Sequence, residues 1–292
     1  MTTIIDGKSI SAHIKTEIRE QVSAFVRDRG RAPGLATILV GNNPASQTYV
    51  ANKIKACGDV GVASIHTPLP ATTSQDKLKD EIRRLNADPA CDAILLQLPL
   101  PGHVDSTPLL ELIDPKKDAD GLHPSNLGQI FEYKSWAEMA SGRHPLSCTP
   151  HGVIQLLQRS KISVSGKRAV VLGRSKLVGK PVALMLLALD ATVTICHSRT
   201  PQLDAVCREA DVLVAAIGQP RFVKPSMVKQ GAVVIDVGIN RDARGKLCGD
   251  VDFEAVKERC SAITPVPGGV GPMTIAMLLH NTLQLAKKRI LD

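Results

Sequence analysis

Residues 169–181 read Ala169-Val170-Val171-Leu172-Gly173-Arg174-Ser175-Lys176-Leu177-Val178-Gly179-Lys180-Pro181, and an apolar run continues over residues 182–189. A strand that enters a helix through a glycine turn can lay a pyrophosphate on the helix N-terminus. Spacing separates three rival loops. A Walker A loop needs four residues between its first Gly and Gly-Lys, then Ser or Thr; here there are five, and Pro181 follows Lys180. A hydrolase elbow needs G-x-S-x-G, and Leu177 stands where the second Gly should be. Ser175 breaks the usual G-x-G-x-x-G. Spacing alone leaves two readings, a dinucleotide loop with Gly173, Arg174 and Ser175 as contacts, or a plain structural βα turn.

The next strand, near 191–196, ends in His197-Ser198-Arg199-Thr200. NAD binders usually carry Asp or Glu at this end to hold the ribose 2′-hydroxyl. A donor-rich tip without a carboxylate suits a 2′-phosphate, with Arg174, Ser198 and Arg199 as contacts. NADP is expected over NAD.

Working outward, this strand belongs to a series near 168–172, 191–196, 212–217 and 232–237. The first half shows the same alternation: strands near 34–41, 62–68 and 92–99, helices near 44–59 and 74–86. Such alternation predicts parallel βαβ units. Between them, residues 114–147 are rich in Asp, Pro, Gly, Ser and His and read as loops with one short helix. A helix follows over 149–159, with Thr149 as cap and Pro150 in its first turn. The last helix runs from Pro272, and no strand follows it. The expected architecture is α/β: two βα domains with mainly parallel sheets, the second Rossmann-like, joined by the helices 149–159 and 272–289 around an active-site cleft. The expected boundaries are 1–147 with 272–292 for one domain and 148–271 for the other.

Composition narrows the function. At 292 residues the chain can hold two cores. Its longest apolar run, 182–189, is too short to span a bilayer. The N-terminal sequence shows no basic region or long apolar core, so no secretory signal is expected. Seven cysteines without a C-x-x-C pair point to free thiols in a reducing, cytoplasmic setting. The net charge of +8 is spread along the chain, and aromatics make up only 2%, which leaves little to stack bases on. Small polyanions fit that charge at least as well as nucleic acid does, and the charge alone does not decide between them.

Four further features carry chemistry. Pro267-Gly268-Gly269-Val270-Gly271-Pro272-Met273-Thr274-Ile275 places three glycines between two prolines, a fixed turn where backbone approaches something closely. Tyr49 and Lys53 are four apart on one helix and share a face; the plain reading is a half-buried Tyr and a solvated Lys. Gln97 is the one polar residue in the apolar run 93–98, either hydrogen-bonded packing or a site. Asp118-Ala119-Asp120-Gly121 could be an acidic loop or half a metal site, but no further carboxylate or His cluster supports a metal.

The nonapeptide resembles, residue for residue, the C-terminal signature of the bifunctional methylenetetrahydrofolate dehydrogenase/methenyltetrahydrofolate cyclohydrolase family. Ser46 to Cys57 resembles the family's active-site helix, and Leu85-Asn86-Ala87-Asp88 through Gln97-Leu98-Pro99-Leu100 resembles its other signature. The likeness covers nearly the whole chain, with the motifs in order. It implies Lys53, Tyr49 and Gln97 as the catalytic group. It implies substrate contacts at Asp120, Tyr49, Gln97, Pro267, Gly268 and Gly271, with Asp120 holding the pterin ring through two parallel N–H bonds. Gly173, Arg174, Ser175, Ser198 and Arg199 would bind NADP, with Ile239 near the nicotinamide. The resemblance also implies a homodimer through the cofactor domain. Two departures stand out: Ala119 where Val is usual, and His151 where Lys or Arg is common.

The implied reactions are NADP-dependent oxidation of 5,10-methylenetetrahydrofolate to the methenyl cation and hydrolysis of that cation to 10-formyltetrahydrofolate. The first is mostly a matter of positioning. The second must activate water, and Lys53 is the candidate, oriented by Tyr49 and Gln97. A lysine ammonium is a poor base at neutral pH, so the sequence leaves Lys53 as base or as charged donor. Two other readings share parts of this pattern: a two-domain NADP dehydrogenase of the shikimate type, and a basic binding protein without catalysis.

Overall fold

The computed structural model describes residues 1–289. Along the chain run β1 (Thr3–Ile4), α1 (Gly7–Arg29), β2 (Gly34–Val40), α2 (Pro44–Val60), β3 (Ala63–Leu69), α3 (Gln75–Ala87), β4 (Ala93–Leu96) and α4 (Ser106–Leu112). Then come α5 (Pro124–Glu132), α6 (Trp136–Met139), α7 (Cys148–Arg159), β5 (Arg168–Leu172), α8 (Gly179–Leu187), β6 (Thr192–Cys196), α9 (Leu203–Arg208) and β7 (Val212–Ala215). The remainder is β8 (Ala232–Asp236), β9 (Asn240–Arg241), β10 (Leu247–Cys248), α10 (Phe253–Val256), β11 (Cys260–Ile263) and α11 (Val270–Lys288). The chain forms two compact units. A six-stranded unit holds Met1–Ala12, Ile130–Ser141 and Ser147–Met277; a three-stranded unit holds His13–Gln129, Gly142–Leu146 and the chain from Leu278 onward.

The six-stranded sheet has the order β1-β11-β8-β7-β5-β6 and is parallel throughout. Its central strands β7 and β8 are buried along their whole length, which is why they read as unbroken apolar runs. Val170, Leu172, Leu213, Val234 and Ile263 join one core cluster. From β5 the chain moves to β6 on one side and then to β7 on the other, so the loops leaving β5 and β7 diverge at their C-terminal ends. That divergence is where open parallel sheets receive ligands.

The three-stranded sheet, β3-β2-β4, is also parallel, with β2 buried throughout. On α3, Leu78, Ile82 and Leu85 recur at helical spacing and pack into the core beside Ile38, Ile94 and Leu96. A buried carboxylate with an arginine partner is built into this unit. Asp92 is fully buried and takes a two-pronged contact from Arg31 at 2.6 and 2.7 Å, with Gly34 N–H donating to it at 2.8 Å.

Several elements differ from the sequence reading, each for a local reason. The strand expected over 92–99 ends at Leu96: Gln97 N still donates to Ile38 O at 3.0 Å, and the cis Leu98–Pro99 bond follows. The strand expected to 217 stops at Ala215 because Ile217 and Gly218 turn their N–H groups to a carboxylate. Residues 114–147 hold two α-helices rather than one; Ser135 caps α6 by accepting from Glu138 N at 3.4 Å. Thr149 is not a cap, since α7 starts at Cys148 and the Thr149 hydroxyl instead meets that of Thr274 at 3.0 Å. The last helix starts at Val270, with Pro272 in its first turn, where a missing N–H costs nothing. α7, expected as a bridge, lies wholly within the six-stranded unit, whereas α1 and α11 each run from one unit into the other. No pattern announces β1, whose two residues pair with Ala262 and Ile263.

Candidate active site

In the three-stranded unit, Asn43 fixes the start of α2: its side-chain oxygen accepts from Ala45 N at 3.0 Å and Ser46 N at 3.1 Å. Helical spacing then puts Tyr49 and Lys53 on one face, one turn apart. Tyr49 is 40% exposed and Lys53 only 8%. Lys53 Nζ donates to Gln97 Oε1 at 3.0 Å, and Gln97 Nε2 donates to Leu98 O at 2.6 Å. Among the described residues, the ion pairs include none with Lys53. A buried ammonium is therefore held by a neutral amide, an unusual choice where a carboxylate would stabilise the charge more. One turn on, burial pushes the Cys57 thiol up to about 12, with the Lys53 charge pulling weakly the other way. That thiol is packing and not a nucleophile.

The acidic loop divides its two carboxylates between tasks. Asp118 is buried and accepts from His123 N at 2.7 Å and Asn126 Nδ2 at 2.9 Å. It also bridges in parallel to Ile94 on β4. Asp120 is only partly buried and lies in the turn that follows, where Gly121 N donates to Asp118 O at 3.4 Å. Asn281 holds the loop from behind, donating to Ala119 O at 2.9 Å. Lys53, Gln97, Tyr49 and Asp120 belong to one unit, with a hydrogen bond joining the first two.

In the six-stranded unit, Gly173 has φ +123, and a Cβ there would overlap the carbonyl oxygen of Ala216 in the loop after β7. A Cβ on Gly179 would likewise overlap the carbonyl of Gly173. The two glycines are required by backbone crowding at the divergence of β5 and β7. Ser175 Oγ accepts from Val178 N at 3.2 Å and Gly179 N at 3.4 Å, closing the turn at the start of α8. Arg174, Ser175, Ser198 and Arg199 are all exposed. At the end of β6, His197 N donates to Thr200 Oγ1 at 2.9 Å and Arg199 N to His197 Nδ1 at 3.1 Å. This small turn stands at the same C-terminal edge as the glycine loop. These residues fit a 2′-phosphorylated dinucleotide: glycine backbone for close approach, and cations with no carboxylate at the second strand end.

Further along this edge, Ile239 is 49% exposed, and a Cβ on Gly271 would stand 3.9 Å from its Cδ1. The nonapeptide with Pro267, Gly268 and Gly271 therefore adjoins the loop after β8. Gly268 has φ +109, and its carbonyl accepts from Lys8 N at 3.1 Å. Two buried carboxylates that the sequence reading passed over organise these loops. Asp236 accepts from Gly238, Asp250 and Val251 N–H groups, each at 2.9 Å; burial pushes its pKa up to about 7 against the pull of those bonds. Asp236 ends an apolar strand as Gln97 does, a signal that was available. Asp250 offered none, since its partners lie far away in sequence. His151 packs its ring edge-on against Trp136, centroids 5.7 Å apart.

A cavity of about 240 Å³ lined by Ser163, Lys167, Asp211 and Lys229 opens at the N-terminal ends of these strands, the wrong end for a dinucleotide. There Lys229 already pairs with Asp211 at 2.6 Å. Among the described residues no helix is long and apolar enough to cross a membrane, and no three His, Cys, Asp or Glu side chains gather as a metal site.

A glycine-looped parallel sheet in one unit and a buried lysine–amide pair in the other are the parts of a nucleotide-dependent α/β enzyme. The catalytic-domain model of tetrahydrofolate dehydrogenase/cyclohydrolase matches residues 5–120, and the NAD(P)-binding-domain model of the same family matches 147–290. A bifunctional protein FolD of Magnetococcus marinus is 53% identical over 99% of this chain and 98% of its own. The crystal structure of the bifunctional FolD methylenetetrahydrofolate dehydrogenase/cyclohydrolase from Campylobacter jejuni superposes with a TM-score of 0.93 at 47% identity, covering 99% of this chain and 100% of that one. The FolD of Trypanosoma brucei, solved with NADP cofactor and inhibitor, gives 0.93 at 42% identity over 100% and 99%. This chain belongs to the tetrahydrofolate dehydrogenase/cyclohydrolase family.

Proposed function

We propose that this chain oxidises 5,10-methylenetetrahydrofolate to 5,10-methenyltetrahydrofolate with NADP⁺ and then hydrolyses that product to 10-formyltetrahydrofolate. The observation that carries the reading is the Lys53 ammonium, 8% exposed and held at 3.0 Å by the amide of Gln97. Lys53, with no carboxylate to hold its proton, can in its amine form take a proton from the water that adds to the methenyl carbon. It can then return that proton to the folate nitrogen that leaves as the C–N bond breaks. Gln97 orients it, Tyr49 flanks it on the same helix face, and Asp120 takes the pterin's N–H edge in two parallel bonds. Gly173, Arg174, Ser175, Ser198 and Arg199 hold NADP, with Ile239 on the nicotinamide side and Pro267, Gly268 and Gly271 shaping the substrate's surroundings. When bound, NADP⁺ supplies the hydride acceptor.

The functional division follows the expected boundaries, with folate chemistry in 1–147 and 272–292 and nucleotide binding in 148–271. Family resemblance supports a cytoplasmic homodimer through the nucleotide-binding part. The edge strand β6, with Ile195 at 41% exposure, offers an unpaired sheet edge for it. Sedimentation at twice the chain mass is the expected result. The enzyme assay is direct: methylenetetrahydrofolate with NADP⁺ yields NADPH, and methenyltetrahydrofolate alone loses its absorbance faster than in buffer. Absence of NADPH formation would remove the dehydrogenase reading.

A further inference from the structure

Asp250 is fully buried, yet its carboxylate serves a surface. Oδ2 accepts from Ile217 N at 2.7 Å and Gly218 N at 3.0 Å; Oδ1 accepts from Gln219 N at 2.8 Å and Asn240 Nδ2 at 2.8 Å. Three of those donors are consecutive amides of the loop leaving β7, whose residues Gly218 and Gln219 are exposed. The fourth belongs to the loop leaving β8, next to Ile239. The same segment adds backbone ties, Arg221 N to Gly249 O and Val223 N to Asp250 O, both at 2.9 Å. A Cβ on Gly238 would overlap the Asp250 carboxylate, and a Cβ on Gly249 would overlap that of Asp236. The crowding leaves one arrangement for the two loops.

The position of this knot matters. The loop leaving β7 begins at Ala216, whose carbonyl is the backbone against which Gly173 packs. A dinucleotide lies across the divergence of strand order, one half over β5 and β6 and the other over β7 and β8. Among the described residues, the four donors to the Asp250 carboxylate all belong to the second half. We propose that Asp250 is a positioning residue for the nicotinamide half of the cofactor, fixing the 217–219 and 239–240 loops through four hydrogen bonds while leaving the adenosine half untouched. The inference rests on the NADP-dependent reading above.

The test separates the two halves of the cofactor. In Asp250→Asn an amide N–H₂ replaces one acceptor and faces two donors, so that loop end must shift. Calorimetry on the full chain with NADP⁺ and with 2′,5′-ADP is expected to show NADP⁺ affinity down at least tenfold and 2′,5′-ADP affinity within twofold of wild type. Hydride-transfer kcat falls at least tenfold, while methenyl hydrolysis stays within twofold. Should Asp250→Asn fail to fold, Asn240→Ala removes a single donor, and a three- to fivefold loss of NADP⁺ affinity with unchanged 2′,5′-ADP affinity is expected. Equal weakening of both ligands, or NADP⁺ binding within twofold of wild type in whichever variant folds, overturns the proposal. A wild-type chain that neither binds nor reduces NADP⁺ overturns the dehydrogenase reading instead.

Discussion

In the three-stranded unit the proposed chemistry hangs on side chains: Lys53 and Tyr49 from α2, Gln97 just past the end of β4, and Asp120 from the turn after Asp118. In the six-stranded unit the corresponding edge is mostly backbone, shaped by Gly173, Gly179, Gly238 and Gly249 and tied from below by Asp236 and Asp250. A proton-transfer step needs one functional group at one place, so a single truncation removes it. Nucleotide binding needs a shaped surface, which fails when a methyl group is added or a buried acceptor is lost.

The sharpest break of that contrast is Lys53→Ala. Methenyl hydrolysis is expected to fall about 10²–10⁴-fold, the range of a lost acid–base group, while NADP⁺ affinity holds. A hydrolysis rate near wild type would end the assignment of Lys53. Next is the Arg31–Asp92 ion pair of the same unit. Asp92→Ala strands the Arg31 guanidinium and the Gly34 N–H, and urea unfolding should register a loss of about 3 kcal/mol. The expectation sits at the low end of its class because Arg31 is 37% exposed and can turn to water. A loss below about 1 kcal/mol would place the pair with ordinary surface bridges.

In the other unit, Asp236 makes stability depend on pH. Its folded pKa of about 7 lies above the ordinary aspartate value of 3.8, so between about pH 4 and pH 7 the folded state keeps a proton that the unfolded chain sheds. Its contribution is therefore full below about pH 4 and declines as pH rises toward 7. Melting temperatures of wild type relative to Asp236→Asn should fall across that window, and a flat difference would contradict the assignment. The smallest expected effect is Gly173→Ala, where a methyl meets the Ala216 carbonyl at φ +123. Strain of about 1–3 kcal/mol is expected to appear as weaker NADP⁺ binding by calorimetry. Gly102→Ala, with open space around the glycine, is the matched control and should be neutral.

Much of both sheets was legible because parallel strands covered on both faces read as plain apolar runs, as in β2, β7 and β8. Gln97 was legible for the same reason, a polar residue ending such a run. Asp236 carried that signal too and was overlooked. β1 was not legible, since two residues set no period and its partner β11 lies at the far end of the chain. The extra helix within 114–147 was hidden because Asp, Pro, Gly, Ser and His recur there and read as loop, while capping by Ser135 is a local event. Thr149 illustrates a competing use: a hydroxyl with cap chemistry that instead meets Thr274.

The sequence by itself determined the alternation of strands and helices, the glycines at the nucleotide turn and the residue types available for catalysis, because periodicity, φ preference and side-chain chemistry are properties of neighbours along the chain. Only the tertiary structure decided that Lys53 is buried against an amide, that Asp118 is buried under the His123 N–H and the Asn126 amide, and that one carboxylate at Asp250 gathers two loops. Those outcomes depend on burial and on donors brought from distant segments, and neither quantity exists until the chain has packed.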